Sequence, residues 1–275
     1  MKPHCDYLLA DSAAEVERLR LQSAVWEPAT EAWLKTLHIQ KGAKALDLGC
    51  GAIGALPVLS RLVGPGGSIT GADLDPMQVE CARRHARQRG LRNVSVVQAD
   101  AVATGLPGET FDLVHIRFLI APTGRGDELV AEALRLLKPG GLLLVQEPHS
   151  DSWSYSPEPP EWPLLKSAIL AAFRTAGGDF DAGAGVAELL RRHGVKEVRS
   201  DSVALDLEAG HPYLQLPVQF AMSLRPRLVP DILSENVLAR CCERIVSAAA
   251  GGMTGRSFTV VQSAGRKCAS GGKWV

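Results

Sequence analysis

A carboxylate two residues ahead of a glycine-rich turn is the first feature with chemical content: Asp47-Leu48-Gly49-Cys50-Gly51-Ala52-Ile53-Gly54. Glycines at this spacing let a backbone turn approach a ligand closely where a strand gives way to a helix. Asp73 and Asp100 close the next two apolar runs. A carboxylate at the first of these positions can hold ribose hydroxyls, and one at the second can accept a hydrogen bond from an adenine amino group. Asp47 itself can orient the turn or meet a ligand ammonium, directly or through water. Acids at successive strand ends thus predict an adenosine-containing ligand lying across the sheet edge at a topological switch point. The glycine spacing alone also fits a nicotinamide dinucleotide. Enzymes using that cofactor usually carry an apolar residue where Asp47 stands, and they need no acid at Asp100.

Proton transfer calls for a group that titrates near neutrality, and three histidines qualify by position. His149, in Glu147-Pro148-His149-Ser150-Asp151 after the fifth apolar run, is the first candidate base, His115 at the end of the fourth the second, and His211 before the later helical segment the third. Glu147 can instead be a structural carboxylate that satisfies backbone donors. Trp153, Tyr155 and Trp162 crowd one proline-rich loop and could wall an apolar, aromatic acceptor pocket. Tyr213, Gln219, Phe220 and Ser223, in the insertion before the last strand, mix apolar and amide groups that suit a ligand wall. Pinning a loop or filling a cap core is the competing role for each. No catalytic metal is expected, because no histidines share one helix face at i, i+4.

The elements that must carry these groups follow from hydrophobic period. Ser12 and Glu15 make a capping box, Val16, Leu19 and Trp26 recur at helical spacing, and Pro28 predicts a second short helix after it. Apolar runs at Ala45–Leu48, Ser68–Ala72, Val94–Val97, Leu113–Ile116 and Leu142–Val145 alternate with helical stretches, the pattern of parallel strands with right-handed crossovers. Asp75, Pro76 and Gly90 bound the helix after the second strand, Asp127 can cap a later one, and Lys138-Pro139-Gly140-Gly141 reads as a turn. Prolines 157, 159, 160 and 163 mark a crossing segment outside any sheet. Helices at about 164–176 and 186–193, a strand at about 197–205, helical pattern over 211–250 and a final strand at 257–262 complete the chain, and the tail from about Lys267 reads as disordered.

Composition narrows the partners. With 275 residues, 46% of them hydrophobic, the chain can bury a large core. Its 30 basic and 30 acidic residues cancel, so neither a nucleic acid nor an anionic membrane is an expected partner. A charged N-terminus, the lack of a membrane-length apolar run and six scattered cysteines predict a cytoplasmic protein with reduced thiols.

Taken in order, Ala45–Gly51, Gly71-Ala72-Asp73-Leu74-Asp75-Pro76, Gln98-Ala99-Asp100-Ala101, Phe111–His115 and Leu136–Gly141 resemble the class I S-adenosylmethionine-dependent methyltransferase family, in its small-molecule, actinobacterial-type form. The resemblance implies a Rossmann-like α/β fold: seven mostly parallel strands, the last antiparallel and beside the 198–205 run. It implies S-adenosylmethionine as cofactor, with Gly49 and Gly51 along the methionine, Asp73 on the ribose, Leu74 against adenine, Asp100 and Ala101 at the adenine edge, and Arg117 closing the methionine pocket. Arg18 and Gln22 would sit on a helix folding over the cofactor, Arg18 offering a fork to its carboxylate. Residues 1–40 are then a helical lid; 41–149, 177–208 and 255–267 the cofactor-binding core; 150–176 and 209–254 substrate cap insertions. The implied reaction is methyl transfer to oxygen, nitrogen or carbon of a small, secondary-metabolite acceptor, with oxygen favoured by a base. A homodimer is compatible with it. Two alternatives stand beside it: a protein of the same fold that binds S-adenosylmethionine and catalyses cyclisation, and a nicotinamide-dependent oxidoreductase.

Overall fold

A computed structural model describes residues 13–269. The chain runs α1 (Ala13–Thr36), β1 (Lys44–Leu48), α2 (Leu56–Val63), β2 (Ser68–Asp73), α3 (Pro76–Gln88), β3 (Val94–Gln98), β4 (Phe111–Arg117), α4 (Ile120–Thr123), α5 (Gly126–Leu136) and β5 (Leu137–His149). It continues through β6 (Ser154–Ser156), α6 (Trp162–Thr175), α7 (Val186–Arg192), β7 (Lys196–Val203), β8 (Asp206–Leu207), α8 (Leu216–Ser223), α9 (Arg225–Leu228), α10 (Glu235–Ala250), β9 (Thr254–Arg256) and β10 (Thr259–Arg266).

Seven strands form one sheet in the order β3-β2-β1-β4-β5-β10-β7, and β10 is antiparallel to both β5 and β7. The order reverses between β1 and β4, so the loops after these strands diverge and leave a crevice at their carboxyl ends. Apolar side chains close the two faces: Leu34, Leu56 and Leu59 belong to one cluster, Val114, Leu136 and Leu190 to another. A third cluster joins Trp26 of α1 to α6, α8 and α10 through Phe173, Phe220 and Ile245, and forms a helical cap. A second sheet, β6-β9-β8, fastens the ends of the two cap segments to each other.

Several sequence expectations are corrected. Pro28 does not end a helix: α1 passes through it, because Trp26 is anchored in the cap cluster and Trp33 and Leu34 in the sheet cluster. Pro28 leaves the carbonyl of Ala24 without its intrahelical donor, and Ala24 is exposed, where solvent can satisfy it. Lys138–Gly141 is not a turn outside the sheet but an irregularity within β5, where pairing jumps from Leu137 opposite Phe111 to Leu142 opposite Leu113. Asp127 lies inside the first turn of α5 and meets His193 Nε2 at 2.8 Å, so it is not the cap. The proline-rich segment does supply a strand, β6, with Tyr155 inward between exposed Ser154 and Ser156. The stretch 211–250 is broken into a 3-10 turn (Pro212–Gln215) and three helices, since Pro217, Pro226 and Pro230 each lack a backbone donor. The last strand reaches Arg266, and Lys267 is tied down by its N–H to Gly141 O at 2.9 Å. Ser12 lies outside the described residues.

Candidate cofactor and acceptor site

The glycine turn is shaped by the carboxylate ahead of it. Asp47 Oδ2 accepts the Ala55 N–H at 2.7 Å at the start of α2. A side chain at Gly54, whose φ is +54°, would collide with that carboxylate and with the Cys50 carbonyl. Asp47 Oδ1 faces His115 Nδ1 at 2.7 Å, His115 Nε2 faces Gln146 Oε1 at 3.0 Å, and Gln146 Nε2 donates to Gln262 Oε1 at 2.8 Å. This buried polar relay crosses β1, β4, β5 and β10 beneath the switch point. His115 has no exposed surface and both ring nitrogens are engaged, so the second candidate base is corrected to a structural member of the relay.

The other two bases are displaced as well. His149 lies off the cavity wall, its side chain 31% exposed and its Nδ1 3.2 Å from Asp151 Oδ1, whereas the preceding Pro148 lines the cavity. His211 caps the 3-10 turn, its Nδ1 accepting the Tyr213 N–H at 3.1 Å. Among the described residues no histidine lines the cavity.

That cavity, about 430 Å³ in volume, extends along the carboxyl edge of the sheet. At one end stand Gly49, Gly51, Asp73, Leu74, Asp100 and Ala101. Asp73 Oδ2 accepts the Gly51 N–H at 2.7 Å and Oδ1 the Asp75 N–H at 3.0 Å, while burial pushes its carboxyl up. Each oxygen keeps a further lone-pair direction for a ligand hydroxyl. Leu74 is 54% exposed on the cavity rim, an apolar surface open to a ligand. Asp100 Oδ1 accepts the Val102 N–H at 3.1 Å, and its Oδ2 lies 4.0 Å from Arg125 Nη1.

α1 covers this end. Arg117 sends Nη1 to Thr30 Oγ1 at 3.2 Å and Nη2 to Ser23 Oγ at 3.0 Å and Gly54 O at 2.9 Å, so it binds β4, α1 and the glycine turn together. Burial draws its pKa down. Arg18 and Gln22 line the cavity, but the Arg18 fork expected for a cofactor carboxylate grips Glu15 at 2.6 and 2.8 Å, with Nη1 on Gln22 Oε1 at 2.8 Å. Glu15 also accepts the Ser223 Oγ–H of the cap at 3.0 Å, and the Arg18 guanidinium stacks 5.0 Å from the Phe220 ring.

At the other end the cavity is aromatic, walled by Phe118, Phe173, Phe180, Phe220 and Phe258. Only Phe220 of the expected acceptor residues is on this wall. Trp153 stacks on Phe180 at 5.4 Å and donates to Tyr155 Oη at 3.0 Å, behind the wall. Tyr213 is buried and accepts from Trp26 Nε1 at 3.0 Å, Ser223 is taken by Glu15, and Gln219 points its Oε1 into the protein. These five, with Trp162, support the phenylalanines and do not reach the cavity. Phe118 and Leu119, missed in the sequence, follow the switch-point strand β4 directly; that position was their one legible signal.

Glu147 is fully buried and accepts three backbone N–H groups, from Leu119 (2.9 Å), Ile120 (2.8 Å) and Ala121 (3.0 Å). Burial pushes its carboxyl up to about 7 against those bonds. Among the described residues no group of three or more His, Cys, Asp or Glu side chains is placed to share a metal ion, and no helix is long and apolar enough to cross a membrane.

Known proteins share this framework. Residues 39–168 match the methyltransferase domain family. The ubiquinone/menaquinone biosynthesis C-methyltransferase UbiE of Shewanella pealeana is 39% identical over 115 residues, 42% of this chain and 46% of that protein. The aklanonic acid methyltransferase DauC of a Streptomyces species is 33% identical over 130 residues, 47% of this chain and 59% of that protein. The chain spans about half the length of these curated relatives. In fold it is similar to the YcgJ protein of Bacillus subtilis (TM-score 0.58, 14% identity, 87% of this chain and 98% of that one) and to the [4+2]-cyclase SpnF (TM-score 0.53, 22% identity, 89% and 83%). Residues 39–168, which match the methyltransferase domain family, carry the acid-flanked glycine turn at the β1–β4 switch point, and the antiparallel β10 completes a Rossmann-like seven-stranded sheet.

Proposed function

We propose that the cavity binds S-adenosylmethionine and that the chain transfers its methyl group to a small, flat, apolar acceptor held among the phenylalanines. One observation carries this reading: a single cavity joins an edge lined by Asp73, Leu74 and Asp100 to a five-phenylalanine chamber. The residues suit the cofactor. Asp73 has lone pairs left for ribose hydroxyls, Leu74 an apolar face for adenine, and Gly49 and Gly54 keep the shape of the turn, since a side chain would meet Leu119 at the first and the Asp47 carboxylate at the second. A sulfonium methyl is already activated when bound, so the chain's task is alignment and exclusion of water.

In this reading α1 is a lid, and α6, α8, α9 and α10 are the acceptor cap. Arg117 fixes the lid to the glycine turn, and the Arg18–Glu15–Ser223 seam fixes it to the cap. With no imidazole on the chamber wall among the described residues, the acceptor atom has to be nucleophilic without one, as an ionised phenol or enol or an uncharged amine is. Oxygen, nitrogen and carbon acceptors all meet that condition. A flat cyclic acceptor, a quinone precursor or a secondary metabolite, agrees with the names of the relatives and with stacking on aromatic walls.

Calorimetric titration with S-adenosylhomocysteine and, separately, with NAD tests the reading. Saturable 1:1 binding of the first and none of the second is expected. Preference for NAD would overturn it in favour of an oxidoreductase. Cofactor binding with no methyl transfer to any of a panel of phenols, enols and amines would favour the cyclisation alternative.

A further inference from the structure

We propose that Glu147 is a positioning residue for the acceptor chamber: its carboxylate holds the Phe118–Ala121 turn in the shape that makes the chamber wall, and protonation releases it. The proposal rests on reading the aromatic end of the cavity as the acceptor site.

The turn is the wall. Phe118, Leu119, Ala121 and Thr123 all line the cavity. Phe118 is held at φ +55°, a left-handed conformation that a bulky side chain adopts only when its surroundings enforce it. Its N–H bonds to Gln146 O at 2.9 Å on one side, and on the other the next three N–H groups converge on Glu147. Those groups begin the short helix α4, where no intrahelical carbonyl is available to them. The Phe118 ring so placed meets Phe258 edge-on at 5.8 Å and Trp26 at 6.3 Å.

Three donors on one side chain demand an acceptor-only group with two oxygens. A carboxylic acid or an amide would turn an O–H or NH2 toward one of the amides, most directly toward Ala121, the partner of Oε2. The surrounding elements carry His115 and Arg117 on β4, His149 beside it on β5, Asp181 ahead of the 3-10 turn (Ala182–Gly185), and Arg125 before α5. Their bonds lead elsewhere: His115 to Asp47 and Gln146, Arg117 to Thr30, Ser23 and Gly54, His149 to Asp151, Asp181 to the Ser150 N–H, Arg125 to Glu128. Opposite it on β10 stands uncharged Val261. The hydrogen bonds of the Glu147 carboxylate go to backbone amides, and burial brings its titration to about 7. A buried carboxylate held without a cation costs stability that an apolar residue would not, which fits a group used for its geometry.

Amide NMR of Leu119, Ile120 and Ala121, with fluorine NMR of Phe118 in protein labelled with 4-fluorophenylalanine, tests this without any acceptor. In the wild-type chain all four signals should move together with pH, with a midpoint near 7. In Glu147→Gln they should stay at their acid positions throughout, while Glu147→Asp, which keeps a carboxylate, should regain a pH-dependent shift. Wild-type signals that do not move with pH overturn the proposal, as do signals that move equally in Glu147→Gln. A parallel titration with S-adenosylhomocysteine separates the two readings: failure to bind it sinks the cofactor assignment, whereas the signals above judge Glu147 alone.

Discussion

Asp47 Oδ1 and His115 Nδ1 lie 2.7 Å apart across the two strands between which the sheet order reverses, and neither side chain is more than 2% exposed. The carboxylate that shapes the glycine turn is thereby braced from the neighbouring strand, and Gln146 and Gln262 continue the brace to β10. His115→Ala should leave a buried carboxylate short of one hydrogen-bond partner and destabilise the fold by about 1–3 kcal/mol, the usual cost of an unsatisfied buried polar group. Urea unfolding measures this. Turnover per folded molecule should keep the wild-type pH dependence, whereas loss of a general base would abolish its acidic limb.

Asp73→Ala should weaken S-adenosylhomocysteine binding by about 1.5–3 kcal/mol, the value of hydrogen bonds to a charged group. It also removes the acceptor for the Gly51 and Asp75 N–H groups, so part of the loss is loosening of the turn. Titration of both proteins reads the difference, and equal affinities would remove Asp73 from the cofactor site.

His149→Ala should retain more than about a tenth of wild-type turnover, because a positioned base contributes about 10²–10⁴-fold and His149 turns away from the cavity toward Asp151. A loss within that range would return His149 to the chemistry.

Glu147 links stability to pH. Its folded carboxyl titrates at about 7, above the ordinary 4.5, so the folded chain keeps a proton that the unfolded chain gives up. The contribution of this group is therefore greatest below about pH 4.5 and falls as pH rises to about 7, by roughly 3 kcal/mol at 1.4 kcal/mol per pH unit. Glu147→Gln should flatten that part of the stability profile. Urea midpoints at several pH values check it, and an unchanged slope would contradict it.

The sheet was legible because its signals are local. Alternating apolar runs, Asp75 with Pro76, and the acids at or just past the ends of β1, β2 and β3 each act within a few residues, and the cavity does bring Asp73, Leu74 and Asp100 together. The acceptor end was not legible. Trp153, Tyr155 and Tyr213 look like pocket residues in sequence, yet their hydrogen bonds, Trp153 to Tyr155 within the loop and Trp26 to Tyr213 across the chain, make them the support behind the wall. Which phenylalanine faces the cavity is set by how β4, α6, α8 and β10 meet, and no local pattern encodes that. In sequence Arg18 looks open to a ligand because Glu15, one turn away, fits the capping box; in the fold Glu15 is the partner of Arg18.

The most direct test of the central claim is a crystal structure with S-adenosylhomocysteine. Adenosine should lie at Asp73, Leu74 and Asp100, with the sulfur opening toward Phe118, Phe180 and Phe258 and free volume beside it for a flat acceptor. A ligand bound elsewhere, or a sulfur sealed from the phenylalanine chamber, would contradict it.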